Sequence, residues 1–250
     1  MIRAVITDLD NTLLRSDKSV SARAKRAFEE LRRTGVMTVA ATARPRRALS
    51  WFKGLPEFDA YVLLNGARLS VDGLAIDRPV PRESVSRMLE RIPRDACLSM
   101  ETQTELYSNL PIPEWDPVVT PEWDQDRMGA VYKLLVLGKN SADICRNAMT
   151  DDVYMTVAED RMTQIMYRDA TKWKGIQTVL ASRGIDPNDA VYFGDDNDDL
   201  EPIRMCGTGI AVANAIPRIR EAADIVIGTN DEDAVARWLE ANCLTGAAEE

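Results

Sequence analysis

The chain has 250 residues, 45% hydrophobic and 28% charged, with a formal net charge of -9. That is enough apolar material for a substantial core, in one large domain or one domain carrying an insertion, and it excludes a disordered or fibrous protein. The acidic balance disfavours nucleic acid and anionic membrane surfaces as partners, so an anionic ligand needs local positive charge or a metal.

In chain order, Ala4-Val5-Ile6-Thr7 is an apolar strand that runs into Asp8-Leu9-Asp10-Asn11-Thr12. Residues 21–34 carry Ala24, Ala27, Phe28 and Leu31 at helical spacing and stop at Gly35, a glycine-capped amphipathic helix. A strand follows over 36–41, Pro45 opens a helix through about Lys53, and 60–64 reads as a third buried strand. This βαβαβ alternation predicts a parallel sheet. From 79 to 168 the texture changes. A helix over 82–91, strands near 96–100 and 105–107, a Pro- and Trp-rich loop over 111–123, a strand over 131–137, a helix over 141–149 and strands near 153–158 and 162–167 form an α+β pattern. Trp115 and Trp123 in that loop are expected to pack rather than to stack on a ligand. The helix over 172–183, the strand over 190–193, a helix, a strand over 208–212, a helix, a strand over 224–227 and a helix over 231–240 restore the earlier grammar. The tail 241–250 reads as frayed. The expected fold class is α/β, a doubly wound parallel sheet built from 1–79 and 169–250, with an α+β insertion over 80–168.

Histidine is absent, which removes serine-histidine and cysteine-histidine catalysis and leaves acid-base chemistry to carboxylates, lysine or tyrosine. Cys97, Cys145, Cys206 and Cys243 lack Cys-x-x-Cys spacing and read as reduced packing residues. The first residues lack the long apolar segment of a signal peptide, and no stretch approaches the ~20 apolar residues of a membrane span. A cytoplasmic enzyme is expected, with no membrane partner.

Three polar clusters stand just after expected sheet strands: Asp8 and Asp10, then Thr42-Ala43-Arg44, then Gly194-Asp195-Asp196-Asn197-Asp198-Asp199. Ligands of open α/β sheets bind at the carboxyl ends of the strands, so these clusters are expected to meet. Residues i and i+2 share a side of a strand, and two convergent carboxylates suit a hard cation and an electrophile, although Asp-x-Asp also occurs in solvated turns. Thr42 offers a hydroxyl to a phosphate oxygen, Asp195 a further carboxylate, and Lys172 positive charge at a helix start. Asp195-x-Asn197-x-Asp199 mimics the first half of a calcium loop, but Leu200 and Cys206 stand where that loop needs Gly and Glu. The residues therefore describe a site for a phosphate and a divalent cation.

Asp8-Leu9-Asp10-Asn11-Thr12-Leu13, Ala41-Thr42-Ala43-Arg44, Asn65-Gly66-Ala67, Lys172 and Gly194 to Asp199 together resemble, in order, the motif set of the haloacid dehalogenase superfamily, with its Rossmann-type core. Gly209 to Ala215, Ala223-Asp224 and Thr229 to Val235 look like its Cof-type branch of sugar-phosphatase-like hydrolases, and the insertion stands where that branch carries a type 2 cap that sets substrate specificity, here expected around residues 101–107. The resemblance implies a Mg2+-dependent phosphatase of small phosphorylated metabolites, sugar phosphates above all. In it Asp8 is the nucleophile that becomes an aspartyl-phosphate, and Asp10 is the acid-base. Magnesium is held by the Asp8 side chain, the Asp10 carbonyl and the Asp195 side chain. Thr42 and Lys172 bind the phosphoryl group; Arg44, Asn65, Gly66, Asp199 and Asn214 bind substrate or support the site. Asn11, Ala43 and Asp198 stand where the family usually has Gly, Gly and Asn. Lys174 is the alternative to Lys172, whose spacing to Gly184 fits better. Transfer of the phosphoryl group to an acceptor other than water, or a catalytically silent ligand-binding role, are the competing functions. A dehalogenase reaction is disfavoured, because the second aspartate implies a leaving group that needs a proton.

Overall fold

The first strand, β1 (Ala4–Thr7), is buried at every position, the burial on both faces that a central parallel strand requires. The structure is a computed structural model and describes residues 1–158 and 161–244. The expected frayed tail lies outside the described residues from 245 onward. After β1 come α1 (Ala22–Arg33), whose cap Ser21 accepts the Ala24 N–H, β2 (Met37–Ala41), β3 (Ala60–Leu63), β4 (Arg68–Val71) and β5 (Leu74–Asp77). The middle of the chain supplies α2 (Arg82–Arg91), β6 (Cys97–Thr102), β7 (Leu106–Ser108), β8 (Val118–Val119), α3 (Gln125–Met128), β9 (Val131–Leu137), α4 (Ser141–Arg146), β10 (Val153–Ala158) and β11 (Met162–Tyr167). The last segment adds α5 (Lys172–Ser182), β12 (Ala190–Gly194), α6 (Leu200–Met205), β13 (Thr208–Ala211), α7 (Pro217–Ala222), β14 (Ile225–Val226) and α8 (Ala234–Asn242).

Two compact units result, Met1–Ile76 with the chain from Thr171 onward, and Asp77–Ala170. The first holds an eight-stranded sheet in the order β14-β13-β12-β1-β2-β3-β4-β5. It is parallel from β14 to β3 and turns antiparallel at β3 and β4. Helices α1 and α8 pack together, as do α5 and α6, the layers of a doubly wound fold. Val5, Phe28, Val39, Ile176, Phe193 and Leu239 belong to one apolar cluster. Because the chain winds outward from β1 to β2 on one side and returns through β12 on the other, the switch point lies between β1 and β12, where such sheets bind ligands.

The second unit holds a six-stranded sheet, β10-β11-β9-β6-β7-β8. Leu98, Met100, Leu134, Val136 and Ile165 on one face share a core with Val85 and Met88 of α2 and Cys145 of α4. The period of two places Ser99, Glu101, Lys133, Leu135 and Gln164 on the opposite face. Trp123 packs against this unit's core.

Several elements differ from expectation. The helix expected over 45–53 is a 3-10 helix, Arg46–Trp51, because only Ala48 and Leu49 are buried in it, too few apolar positions to hold an α-helix. The β4-β5 hairpin was not foreseen because β5 is exposed throughout. Its signal is Asp72-Gly73, with φ +52 and +76, the pairing a tight hairpin turn demands. The loop expected over 111–123 contains β8, which extends the second sheet beside β7. The last helix begins at Ala234 rather than 231, since Asp233 at φ +57 cannot lie within it. No helix of the described residues is long and apolar enough to cross a membrane.

Candidate active site

Asp8 directly follows β1, and its N–H donates to the Phe193 carbonyl at 2.9 Å, which ties it to β12. The chain then makes one wide turn in which Asn11 takes φ +58, so asparagine fills the left-handed position that glycine usually takes. Lys172 opens α5, capped by Thr171, whose hydroxyl accepts the Lys174 N–H. Its buried Nζ lies 2.6 Å from Asp8 Oδ1 and 2.6 Å from Asp199 Oδ1. Lys174 points to an exposed face, so Lys172 is the lysine that reaches Asp8. Gly66, at φ +93, lies so close to the start of α5 that a Cβ would collide with the Thr171 carbonyl.

At the end of β12, Asp195 Oδ1 accepts the Thr12 hydroxyl at 2.6 Å. Asp199 is fully engaged. Its Oδ2 accepts the N–H groups of Asp195 and Asp196 at 2.8 and 3.0 Å, and its Oδ1 accepts Lys172 and the Tyr192 hydroxyl, each at 2.6 Å. Gly194 permits this approach, since a Cβ there would fall 2.6 Å from Asp199 Cβ. One oxygen each of Asp8, Asp195 and Asp199 lie within 4.8 Å of one another. Burial pushes the Asp195 carboxyl up to about 7, with the Asp199 charge adding to the rise. Burial likewise holds Asp8 well above the usual range against the pull of Lys172. The Lys172 ammonium is raised by Asp199 and Asp8 although burial opposes its charge.

Three buried carboxyl groups thus gather around one lysine, more acidic groups than its single charge can offset. Asp8 and Asp195 each spend one oxygen on these bonds, while Asp199 has no free lone pair directed at a cation. Hard oxygen donors of this kind fit a divalent metal ion, with Asp8 and Asp195 the two that keep an oxygen free for it.

Asp10 occupies a second cluster. Arg44 grips it with Nε to Oδ2 at 2.7 Å and Nη2 to Oδ1 at 2.8 Å, and Lys18 Nζ reaches Oδ1 at 2.8 Å. Burial raises the Asp10 carboxyl, but the bonds from Arg44 and Lys18 outweigh it and hold the group below its usual range. The guanidinium also lies 5.2 Å from the Phe52 ring centroid, within cation-π range. Thr42 is buried, and its hydroxyl accepts the Arg44 backbone N–H at 3.2 Å. Asn65, at φ +53, donates to Asp198 Oδ2 at 2.6 Å, while its own buried Oδ1 has no partner. The aspartate at 198 is therefore accommodated by a donor from the β3 end. Asn214 touches neither carboxylate: it donates to the Asn11 carbonyl at 2.8 Å and accepts the Asn230 N–H at 3.0 Å, holding the turn that carries Asp10.

The fold thus gathers Asp8, Lys172, Asp195 and Asp199 into one network and Asp10 with Arg44 into another, with Thr42, Asn65, Gly66 and Asn214 shaping the surrounding loops. Sequence reasoning missed Thr12, Lys18 and Tyr192. Thr12 stands inside the first motif, and Tyr192 is a phenol in a buried strand, which needs a partner. Lys18 carries no comparable signal.

Known proteins resemble this chain over nearly its whole length. The chain is 25% identical over 256 residues to a phosphoglycolate phosphatase of Methanopyrus kandleri, covering 96% of each chain. It is 24% identical over 264 residues to a 5-amino-6-(5-phospho-D-ribitylamino)uracil phosphatase of Bacillus subtilis, covering 94% of this chain and 95% of that one. A solved structure from Thermotoga maritima superposes with a TM-score of 0.85 at 24% identity, over 96% of this chain and 97% of the other. The profile described as haloacid dehalogenase-like hydrolase matches residues 5–239, and the chain belongs to that family.

Proposed function

We propose that the protein is a Mg2+-dependent phosphatase that hydrolyses phosphate monoesters of small metabolites, sugar phosphates foremost, in the cytoplasm. The observation that carries this reading is the buried Lys172 ammonium bonded to Asp8 at 2.6 Å, beside the buried carboxylate of Asp195 at the switch point of the sheet. Asp8 attacks phosphorus and becomes an aspartyl-phosphate, while Asp10 protonates the leaving alkoxide and later takes a proton from the attacking water. Lys172 and the Thr42 hydroxyl, both buried, hold phosphoryl oxygens, an electrostatic task. Arg44 fixes the Asp10 carboxylate through both of its oxygens. Magnesium, held by the side chains of Asp8 and Asp195 and the Asp10 carbonyl, would supply positive charge against the phosphoryl oxygens.

The substrate class rests on two supports. Both phosphatases named above act, by their names, on small phosphorylated molecules. The inserted unit is the proposed cap that sets specificity, and its sheet carries a polar face of its own, with Lys133 Nζ donating to Gln164 Oε1 at 2.8 Å on the same face as Glu101 and Ser99. The free cysteines are at home in a reducing compartment.

A panel of phosphorylated sugars, acids and nucleotides, assayed with magnesium in 18O-labelled water, tests the reading. Release of phosphate carrying one solvent oxygen is expected. Phosphate passed to an organic acceptor instead, or no turnover of any ester, would overturn it.

A further inference from the structure

Tyr192 is fully buried in β12 between apolar Val191 and Phe193, a place that calls for bulk and not for a hydroxyl. That hydroxyl nevertheless donates to Asp199 Oδ1, at 2.6 Å, the same oxygen that accepts Lys172 Nζ at 2.6 Å. A hydroxyl bonded to a carboxylate is a strong, charge-assisted donor. Lys172 stands at equal distances from Asp199 and Asp8. If Lys172 alone served Asp199 Oδ1, the undiminished charge of that oxygen would draw the ammonium toward Asp199 and away from Asp8. A second donor on the same oxygen weakens that pull.

We propose that Tyr192 is a positioning residue for phosphoryl transfer, whose hydroxyl, acting through Asp199, sets how Lys172 is shared between Asp199 and the phosphoryl group at Asp8. This deepens the phosphatase reading and rests on it. Burial pushes the phenol well above its ordinary value, and the Asp199 charge adds to that, so Tyr192 stays a donor. Its neighbours are Lys172, Asp8 and Asp199, each held by the bonds described above.

The test uses the magnesium-loaded enzyme, p-nitrophenyl phosphate as substrate and vanadate as a mimic of the phosphoryl group in transfer. Tyr192→Phe is expected to lower kcat and vanadate affinity by about tenfold while KM changes less than about twofold, the pattern of an interaction made mainly in the transition state. In an Asp199→Asn background the same change is expected to add less than about twofold, since the coupling runs through that carboxylate. A Tyr192→Phe enzyme that melts earlier but keeps wild-type kcat and vanadate affinity has lost only a structural bond, and overturns the proposal. A wild-type enzyme that neither turns over the ester nor binds vanadate overturns the phosphatase reading and this proposal together. Should Tyr192→Phe not fold, the exchange-protected hydroxyl proton of Tyr192 in the wild type serves as readout by NMR: a shift on adding vanadate supports the role, and an unmoved resonance overturns it.

Discussion

Asp8 and Asp10 stand two residues apart, yet the fold gives them opposite surroundings. Asp8 is buried among carboxylates and held up in pKa; Asp10 is clasped by Arg44 and Lys18 and held down. From the protein's own groups, these tendencies to bind a proton run opposite to a nucleophile at Asp8 and a proton donor at Asp10, so the proposed roles rest on the motif resemblance, and a cation bound at Asp8 would favour its ionised form. Asp8→Asn is expected to reduce phosphate-ester hydrolysis by at least about a thousandfold while the protein remains folded, checked by steady-state kinetics and circular dichroism. Arg44→Lys keeps the charge but not the two-pronged grip on Asp10, and a lysine is not equivalent at such a site. It is expected to lower kcat by about tenfold, read from the same assay. The motif residues themselves were legible as chemistry in the sequence, but Thr12, Lys18 and Tyr192 were not assigned, because each acts only on a partner that folding delivers.

At the level of elements, β1, β2, β3 and β12 could be read from apolar runs that end in polar clusters, since a strand buried on both faces has no other way to write itself. The 3-10 segment Arg46–Trp51 and the β4-β5 hairpin escaped for opposite reasons: one has a helix-opening proline without an apolar face, the other has a turn without an apolar strand behind it. Two glycines separate strain from crowding. Gly73, at φ +76 with open space around its Cα, should lose about 1 kcal/mol on Gly73→Ala through backbone strain alone, with kcat unchanged, as urea unfolding and kinetics would show. Gly194→Ala places a methyl against the Asp199 carboxylate. It is expected to lower the melting temperature and to cut kcat by at least about tenfold, because displacing Asp199 disturbs both Lys172 and the Asp195 loop.

For the whole molecule, the buried acidic cluster couples stability to pH and metal. Asp195 moves from an ordinary carboxyl near 3.8 to about 7 on folding, and Asp8 moves in the same direction. Between those values the folded state binds more protons than the unfolded one, so stability falls as pH rises. With a chelator present, the melting temperature is therefore expected to decline from pH 5 toward pH 8; added magnesium should raise it, most at the alkaline end, where the carboxylates are ionised. Scanning calorimetry across pH with and without Mg2+ checks both, and a flat chelated profile would contradict the cluster's electrostatics. By itself the sequence determined the α/β grammar, the acidic character, the absence of histidine chemistry and the family, because strand burial and motif residues are local properties written in local order. Only the tertiary structure decided that Lys172 rather than Lys174 meets Asp8, that Asp199 is saturated by four donors, that Asn214 braces a backbone turn, and that Tyr192 joins the network. These depend on groups as much as 203 positions apart, as the Asn214 side chain is from the Asn11 carbonyl, and no local pattern specifies where such groups meet.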